Sequence, residues 1–345
     1  MYKKLLNIAA ITTLLSASGA SVAYAQLDSS VPAPIQYTVS PETPGPNTQV
    51  TITTEGVGTY LGDANITWSV NGKITSQAVG QRTFTFTTGS LGSVTRVHVT
   101  VQSSSEGTLT NDWTFTPSVV TLVWEADTSV PPLYRGKALY SGGSNLKVVA
   151  FPAIVVNNKA ISPQNLSYQW AVNDVPAPQL SGLGRTAILF SGDQLQKTED
   201  VSVVINYGND QVGQGEVVIP ASTPQLLFYA KDPLRGLLLD TALPSGVSLA
   251  AKEFTIQAMP YYFATQSLAN GAATYEWTLN GDETTGPNAA QGLLTLRQTG
   301  TGTGSAVIGA IMQNSDGNKL VQAAQNALQI VFGQSQSSGS SLFGL

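Results

Sequence analysis

The chain has 345 residues, of which 16 are basic and 21 are acidic, one is histidine and none is cysteine. The lack of cysteine excludes disulfides and cysteine-based zinc sites, so each domain must be held by its core alone. Charged residues make up 11% of the chain against the roughly 25% usual for soluble domains. The surface is therefore built largely of Thr, Ser, Asn, Gln and Gly.

The N-terminal segment has the pattern of a secretory signal. Lys3 and Lys4 precede a mostly apolar stretch over 5–22, and Ala23-Tyr24-Ala25 forms a small-x-small cleavage site. We predict a signal peptide over 1–25 and export to the cell surface, the periplasm or the extracellular space. The alternative is a membrane anchor, but the apolar run is broken by serines and a glycine and is shorter than the roughly 20 residues that span a bilayer.

The charge of the mature chain limits its partners. Removing Lys3 and Lys4 from the 16 basic residues leaves 14 against 21 acidic residues, a net charge of −7. This balance argues against binding nucleic acid or anionic membranes through charge. No later stretch is apolar enough to predict a transmembrane span in the mature chain.

Residues 26–33 are predicted to be a linker, and short strands follow it. In the first domain the alternation of apolar and polar residues predicts strands at 35–40, 49–54, 64–70, 82–87, 93–102 and 108–116. Turn signals such as Pro-Gly-Pro at 44–46 and Asn71-Gly72 separate them. Many short strands with turns every ~8–12 residues favour a β-sandwich.

One strand sequence occurs three times. Its copies are Ile66-Thr67-Trp68-Ser69-Val70-Asn71-Gly72, Tyr168-Gln169-Trp170-Ala171-Val172-Asn173-Asp174 and Tyr275-Glu276-Trp277-Thr278-Leu279-Asn280-Gly281. The tryptophans are 102 and 107 residues apart, about the length of one small domain. Each copy reads as a half-buried strand that runs into a tight hairpin, so the period predicts an array of similar β domains.

The second and third copies agree beyond their tryptophans. Pro132-Leu133-Tyr134-Arg135-Gly136 corresponds to Pro233-Leu234-Arg235-Gly236, and Pro152 and Pro260 stand at the same place in two strands. Since proline cannot donate to a sheet ladder, we expect an edge or bulge site there. The predicted domains are 34–117, 118–221 and 222–333, followed by a flexible tail over 334–345.

These features resemble the immunoglobulin-like superfamily and, more narrowly, the PKD-like modules of exported bacterial surface proteins. The resemblance lies in the aromatic-x-Trp pattern before an Asn/Asp-Gly hairpin, as in Tyr168-Gln169-Trp170 and Tyr275-Glu276-Trp277, with Ile66 replacing the aromatic in the first copy. It implies three tandem immunoglobulin-like antiparallel β-sandwiches, an all-β fold, with a role as spacer or binder.

The tail and the segment before it are open to two interpretations each. The segment at 319–332 fits an amphipathic helix or a strand, and we favour a strand. The tail is a polar linker that closes with Leu342-Phe343-Gly344-Leu345. This apolar end is either part of a disordered tail or a docking peptide that binds a groove or a sheet edge of a partner.

The tryptophans are predicted to be structural. Trp68, Trp170 and Trp277 share a face with apolar or aromatic neighbours two residues away, which is typical of a core rather than of a sugar-binding platform. Trp113 and Trp124 fall near the junction of the first and second domains, where we favour packing between domains over exposure.

Candidate chemistry is sparse. His98 alternates with valines and is predicted to be a surface polar residue. Gly300-Thr301-Gly302-Thr303-Gly304 precedes a strand, so we interpret it as a flexible loop and not as a phosphate loop. The loops with Asn314-Ser315-Asp316-Gly317-Asn318, Asn209-Asp210 and Asp282-Glu283 could offer calcium ligands, although turn chemistry explains them as well.

We therefore predict an exported, non-enzymatic protein of the cell surface or envelope, acting as a spacer, an adhesive module or part of a surface assembly. No catalytic residue, metal or cofactor is expected, the partner is a protein or glycan, and the oligomeric state stays open. The alternative is a carbohydrate-active or proteolytic enzyme with a site in a sandwich cleft. Carboxylates lining a groove would favour the enzyme, whereas exposed aromatic residues on a flat sheet would favour glycan binding.

Overall fold

A computed structural model describes residues 35–56, 61–132, 134–195, 197–249, 251–316 and 319–333. The predicted signal peptide, the linker 26–33 and the tail 334–345 lie outside these residues. Most of the described residues lie in β-strands and the helices are few and short, so the predicted all-β fold is confirmed.

The first sandwich pairs a three-stranded sheet with a four-stranded one. The sheet orders are β1-β2-β5 and β4-β3-β6-β7. The strands are β1 (Ile35–Ser40), β2 (Gln49–Gly56), β3 (Asn65–Val70), β4 (Lys73–Val79), β5 (Thr83–Thr87), β6 (Thr95–Ser103) and β7 (Gly107–Phe115).

The second sandwich repeats this plan with the orders β15-β9-β8 and β13-β12-β16-β17. Strand β14 also pairs with β12, and β10 forms a small hairpin with β11. The strands are β8 (Val119–Ala126), β9 (Asn145–Ala153), β10 (Val155–Val156), β11 (Lys159–Ala160), β12 (Ser167–Val172), β13 (Val175–Pro176), β14 (Gly182–Leu183), β15 (Ala187–Ser191), β16 (Thr198–Tyr207) and β17 (Asp210–Pro220). Two short 3₁₀ helices lie at Pro163–Asn165 and Pro178–Leu180.

The third sandwich has the sheet orders β19-β18-β21-β24 and β20-β26-β25-β22-β23. Its strands are β18 (Gln225–Asp232), β19 (Gly236–Leu237), β20 (Gly246–Leu249), β21 (Glu253–Tyr261), β22 (Ala273–Leu279), β23 (Asp282–Thr284), β24 (Leu293–Arg297), β25 (Gly304–Asp316) and β26 (Lys319–Phe332). Helix α1 (Thr265–Ala269) and a 3₁₀ helix at Ala289–Gln291 lie in its connections.

The strand order makes each unit an immunoglobulin-like sandwich. In every copy the first, second and fifth strands of the common plan form one sheet, and the tryptophan strand lies inside the other. Each sandwich encloses its own cluster of buried apolar side chains. The resemblance to tandem immunoglobulin-like domains is thereby confirmed, whereas the PKD-like likeness and the domain boundaries stay predictions.

The hairpin after each tryptophan is fastened by its asparagine. Asn71, Asn173 and Asn280 all adopt a positive φ of 50–55°. The side-chain Oδ1 of each accepts a hydrogen bond of 2.8–2.9 Å from a backbone N–H on the next long strand. The backbone N–H of each asparagine in turn donates to the carbonyl of the residue whose N–H its side chain accepts, which is Arg96, Asp200 or Val307. The repeated asparagine thus ties the hairpin to the neighbouring strand of the four- or five-stranded sheet.

Several local predictions are settled by the sheets. Residues 319–332 form strand β26, which confirms the strand interpretation. Pro152 and Pro260 lie on β9 and β21 beyond the last residues that pair with β15 and β24, so they occupy edge sites as expected. Strand β4, the second arm of the Asn71-Gly72 hairpin, and the five-residue helix α1 were not predicted from the sequence.

The second and third sandwiches are joined by a polar network. The Ser129 N–H donates to the Phe263 carbonyl at 2.7 Å, and the Tyr262 N–H donates to the Ser129 carbonyl at 2.9 Å. The buried Gln322 side chain donates to Ser141 Oγ at 2.5 Å, and its Oε1 accepts from the Ala264 N–H at 2.8 Å. Because these groups are satisfied across the junction, the network favours one arrangement of the two sandwiches.

No helix in the described ranges is long and apolar enough to cross a membrane.

Candidate functional site

The three repeated tryptophans lie between the sheets of their sandwiches. Trp68, Trp170 and Trp277 expose at most 1% of their surface. Trp68 stacks on Phe84 with ring centroids 4.9 Å apart, and Trp277 stacks on Phe228 at 5.8 Å. Side chains in these positions cannot stack on a ligand. Their contribution to stability stays a prediction, since burial gives a position and not an energy.

The expected packing of Trp113 and Trp124 between domains is wrong. Trp113 lies on β7 and packs within the first sandwich, 6.0 Å from the Trp68 ring. Trp124 lies on β8, packs against the core of the second sandwich and carries the Lys137 ammonium 3.3 Å from its ring centroid. The reason is strand alternation, which turns both indoles toward the sandwich interior.

His98 takes part in a hydrogen-bonded row on an open sheet face. Its Nδ1 lies 2.8 Å from Asp112 Oδ1 on β7, and its Nε2 lies 3.1 Å from Thr100 Oγ1. The order hydroxyl–imidazole–carboxylate is that of a catalytic triad. However, Asp112 is largely exposed, and β6 is paired with β3 and β7 on both sides. The backbone amides are therefore engaged in the ladders, and the row has no preorganised oxyanion hole in the described structure.

A buried carboxylate closes one end of the second sandwich. Glu199 is 1% exposed and accepts hydrogen bonds from the Tyr140 hydroxyl at 2.7 Å, the Asp193 N–H at 2.6 Å and Asn173 Nδ2 at 2.7 Å. Burial and the Glu199 carboxylate together raise the pKa of Tyr140 far above its usual range. Since three donors satisfy Glu199, the network ties loops together and leaves the carboxylate no access to a substrate.

The calcium-ligand candidates do not converge. Asp210 opens β17, and Asp282 and Glu283 lie on β23, whereas Gly317 and Asn318 lie outside the described residues. Within the part of the chain that the structure describes, no three His, Cys, Asp or Glu side chains come together as a potential metal site.

A cleft at one end of the third sandwich, here called the distal cleft, combines apolar and polar lining groups. It encloses about 590 Å³, and its floor is made of the buried core residues Leu294, Ile308 and Ile330. Its walls are the partly buried side chains of Leu249, Leu279, Leu296 and Phe332. The floor itself is closed to solvent, and the apolar surface that the cleft presents comes from the partly buried walls, in a volume typical of ligand pockets.

The rim of the distal cleft consists of polar residues and glycines. It contains Gln298, Thr299, Thr303 and Ser305 together with the glycines of the loop that was interpreted as flexible. Gln298 Nε2 donates to the Gly302 carbonyl at 2.8 Å, and this hydrogen bond links the two ends of the loop. The lining also includes Lys252 and Arg297, and Arg297 forms an ion pair with Glu253, which lies outside the lining.

The cleft lies away from the junction with the second sandwich. Strand β26 carries Gln322 at the junction and Phe332 at the cleft, ten residues apart. At about 3.3 Å per residue, the two ends are separated by roughly 33 Å. The distal cleft was not predicted from the sequence, and the only local signal for it was the glycine-rich loop.

Two further surfaces carry groups suited to binding. The outer face of β15-β9-β8, here called the apolar sheet face, exposes aliphatic residues and one aromatic, Val119, Val123, Phe151 and Leu189. The equivalent face of the first sandwich carries Thr51, Thr53 and Thr85 instead. A single Phe151 among aliphatic residues is not an aromatic platform for sugars.

The second surface is a polar cleft of about 420 Å³ where the second and third sandwiches meet. Asp127, Asn145, Gln194, Gln266 and Asn270 are among its lining residues. These carboxylate and amide groups suit a ligand with many hydroxyl groups. Among the residues described around the cleft, none is aromatic.

Comparison with known proteins gives no family. No protein-family model matches the chain, and no curated protein matches it. Among solved structures, the central fibronectin-III array of RIM-binding protein is 12% identical, covers 88% of this chain and 98% of its own, and gives a TM-score of 0.29. Three N-terminal domains of the highly immunogenic outer capsid protein (Hoc) of bacteriophage RB49 are 9% identical, with coverages of 88% and 99% and a TM-score of 0.24.

A third similar structure is the SGBP-B protein of the Bacteroides ovatus mixed-linkage glucan utilization locus, in complex with a mixed-linkage heptasaccharide. It is 10% identical, covers 86% of this chain and 70% of its own, and gives a TM-score of 0.23. At these TM-scores the three structures carry no argument about function.

Proposed function

We propose that this chain is an exported, non-enzymatic protein of the cell surface or envelope, in which tandem sandwiches space and orient a binding site at the end of the third domain. The observation that carries the proposal is the distal cleft. A cleft with partly exposed apolar walls and a rim of hydroxyl, amide and cationic groups can hold an apolar ligand segment and hydrogen-bond its surroundings. The partner is a protein or a glycan-bearing molecule with an apolar segment.

The junction between the second and third sandwiches supports the role as spacer. The network around Gln322 and the backbone hydrogen bonds of Ser129 hold the third sandwich so that its cleft is directed away from the second. A fixed junction lowers the entropy that would be lost when a flexible array binds a partner.

The enzyme alternative rests on the Thr100–His98–Asp112 row. It predicts slow hydrolysis of an activated ester such as p-nitrophenyl acetate, and the loss of that activity in Thr100→Val and His98→Ala. We expect equal background rates for the wild type and both variants, because the row lies on an open sheet face. Hydrolysis that disappears in both variants would favour an enzyme.

The proposal is tested in intact cells that produce the chain. We expect the processed chain in the surface or envelope fraction, with Thr299 on the cleft rim accessible to a membrane-impermeant maleimide after Thr299→Cys. Thr85→Cys, on an exposed strand of the first sandwich, provides the matched labelling control. Recovery of both variants unlabelled in the cytoplasmic fraction would overturn the proposal.

The binding site is tested on the same cells with a photo-crosslinking residue at position 299 or 85. We expect a defined crosslinked product from position 299 that is absent from position 85. The same product from both positions, or none from either, would contradict the assignment of the cleft as the binding site.

A further inference from the structure

The chain that follows the third sandwich begins on the rim of the distal cleft. Strand β26 ends at Phe332, whose side chain lines the cleft, and Gly333 follows with a φ of +76°. A side chain at Gly333 would meet the Gly302 carbonyl oxygen at 2.6 Å. Glycine at this position lets the backbone pass directly over the glycine-rich loop, so residues 334–345 start at the cleft.

The sequence of these residues has two parts with different chemistry. Residues 334–341 are Gln, Ser and Gly only, and Leu342-Phe343-Gly344-Leu345 follows, here called the apolar tip. None of the residues from 334 to 345 is charged. Three large apolar side chains therefore follow an eight-residue stretch of Gln, Ser and Gly that begins at the mouth of the cleft.

We propose that the apolar tip docks in the distal cleft of its own chain and competes there with an external ligand. The inference rests on the proposed function, because it concerns the same cleft. Leu279, Leu296 and Phe332 are apolar and only partly buried, so a Leu-Phe segment that packs against them removes apolar surface from water. The tail has no positively charged side chain, so the cationic side chains of Lys252 and Arg297 on the rim do not repel it.

The length of the linker favours docking within one chain. Eight residues span at most about 28 Å when extended and about 16 Å on average as a flexible coil. The cleft begins at the linker's own origin, so the tip reaches it easily. A short flexible linker gives an effective concentration in the millimolar range, above any free concentration of a second copy in solution. The apolar sheet face belongs to the second sandwich, beyond the polar junction at the far end of β26, and is therefore farther from the origin of the linker than the cleft is.

The first experiment uses the purified mature chain with p-benzoylphenylalanine in place of Phe343. On irradiation we expect a crosslink within one chain to peptides of the cleft, in the ranges 249–252 or 294–303. The matched control carries the same residue in place of Ser337, in the polar linker. Crosslinks mainly between two chains, crosslinks to the apolar sheet face, or a yield no higher than that of the control would overturn the proposal.

The second experiment measures binding of a fluorescent Ser-Ser-Leu-Phe-Gly-Leu peptide by anisotropy. The wild-type chain is compared with a full-length chain that carries both Leu342→Ser and Phe343→Ser. If the wild-type tip occupies the cleft, the peptide binds the double variant at least about tenfold more tightly than the wild type, because the tethered competitor is gone. A Ser337→Ala, Ser338→Ala chain should behave as the wild type.

Equal peptide affinity for the wild type and the double variant, or no binding to either, would overturn the inference. Both measurements use purified protein and do not depend on export. A positive peptide result with a cytoplasmic chain would therefore reject the proposed location and keep the docking, whereas surface exposure without peptide binding would do the reverse.

Discussion

The three buried tryptophans differ in how their indole nitrogens are satisfied. Trp170 Nε1 donates to the Arg185 carbonyl at 2.8 Å, and Trp277 Nε1 donates to the Ala289 carbonyl at 3.1 Å. Trp68 Nε1 is buried and has no partner among the described residues. The ring in the first sandwich therefore contributes through packing, whereas the other two also anchor a loop.

We expect Trp170→Ala to cost the second sandwich about 3–5 kcal/mol, because it leaves a large cavity in the core. That is a large part of the roughly 5–15 kcal/mol that a domain possesses, and no disulfide compensates for it. Trp170→Phe keeps most of the volume but loses the hydrogen bond to Arg185, so its cost should be smaller. Domain-resolved thermal unfolding measures both variants. Unchanged stability of Trp170→Ala would show that the residue does not stabilise the core.

The hairpin asparagines allow backbone and side-chain effects to be separated. Asn280 has φ 55°, and its Oδ1 accepts from the Val307 N–H at 2.8 Å. Asn280→Gly keeps the left-handed backbone accessible and removes the hydrogen bond, which should cost about 1 kcal/mol. Asn280→Ala adds the left-handed penalty and should cost about 2–3 kcal/mol in all. In urea unfolding of the third sandwich, the free energy of unfolding should be highest for the wild type, lower for Asn280→Gly and lowest for Asn280→Ala. Equal losses in the two variants would contradict the backbone argument.

Buried tyrosines make the stability of the second sandwich sensitive to alkaline pH. Burial raises the pKa of Tyr168 from 10.0 to about 12. The folded state therefore favours the neutral phenol, and the stability that Tyr168 contributes is fully present below pH 10 and falls as the pH rises toward 12. We expect Tyr168→Phe to weaken this alkaline loss at the cost of the hydrogen bond to the Pro163 carbonyl. Unfolding midpoints between pH 9 and 12 test this, and identical slopes for both chains would contradict it.

At the scale of elements, the junction depends on one side chain more than on any other. Gln322 bonds Ser141, Ala264 and Asn314 at once. Gln322→Ala leaves the buried Asn314 amide and the Ala264 N–H without their acceptor, which should cost about 1–3 kcal/mol. Calorimetry should then show the second and third sandwiches unfolding more independently. Gln325→Ala, on an exposed position of the same strand, serves as the control, and an equal effect in both variants would rule out a specific role for Gln322.

The sequence predicted those elements that depend on local pattern. The strand with Trp170, its hairpin and the edge position of Pro152 follow from alternation and turn chemistry within about ten residues. The junction could not be predicted, because Gln322 and Ser141 are 181 residues apart and nothing in either neighbourhood marks the contact. Strand β4 was missed because its outward Ile74 and polar neighbours show no buried stripe.

The distal cleft was missed for a related reason. Ile308 and Ile330 have the sequence pattern of ordinary core residues, and they are core residues. The cleft above them is lined by strands of both sheets and by the glycine-rich loop. Where two packed sheets stop relative to each other is a property of the assembled sandwich, not of any single strand.

At the scale of the whole molecule, tandem sandwiches with short connections predict a semi-rigid rod. Strands of 8–14 residues at about 3.3 Å per residue make each sandwich about 35 Å long, and three in a row give about 105 Å. A thin rod of that length has a radius of gyration of about 30 Å, against about 19 Å for a compact globule of 300 residues. Small-angle scattering of the mature chain should give a radius of gyration of about 30 Å. If Gln322→Ala loosens the junction between the second and third sandwiches, it should also broaden the distribution of interatomic distances. A profile that fits a sphere of this mass would reject the rod, and with it the idea that the sandwiches act as a spacer for the cleft.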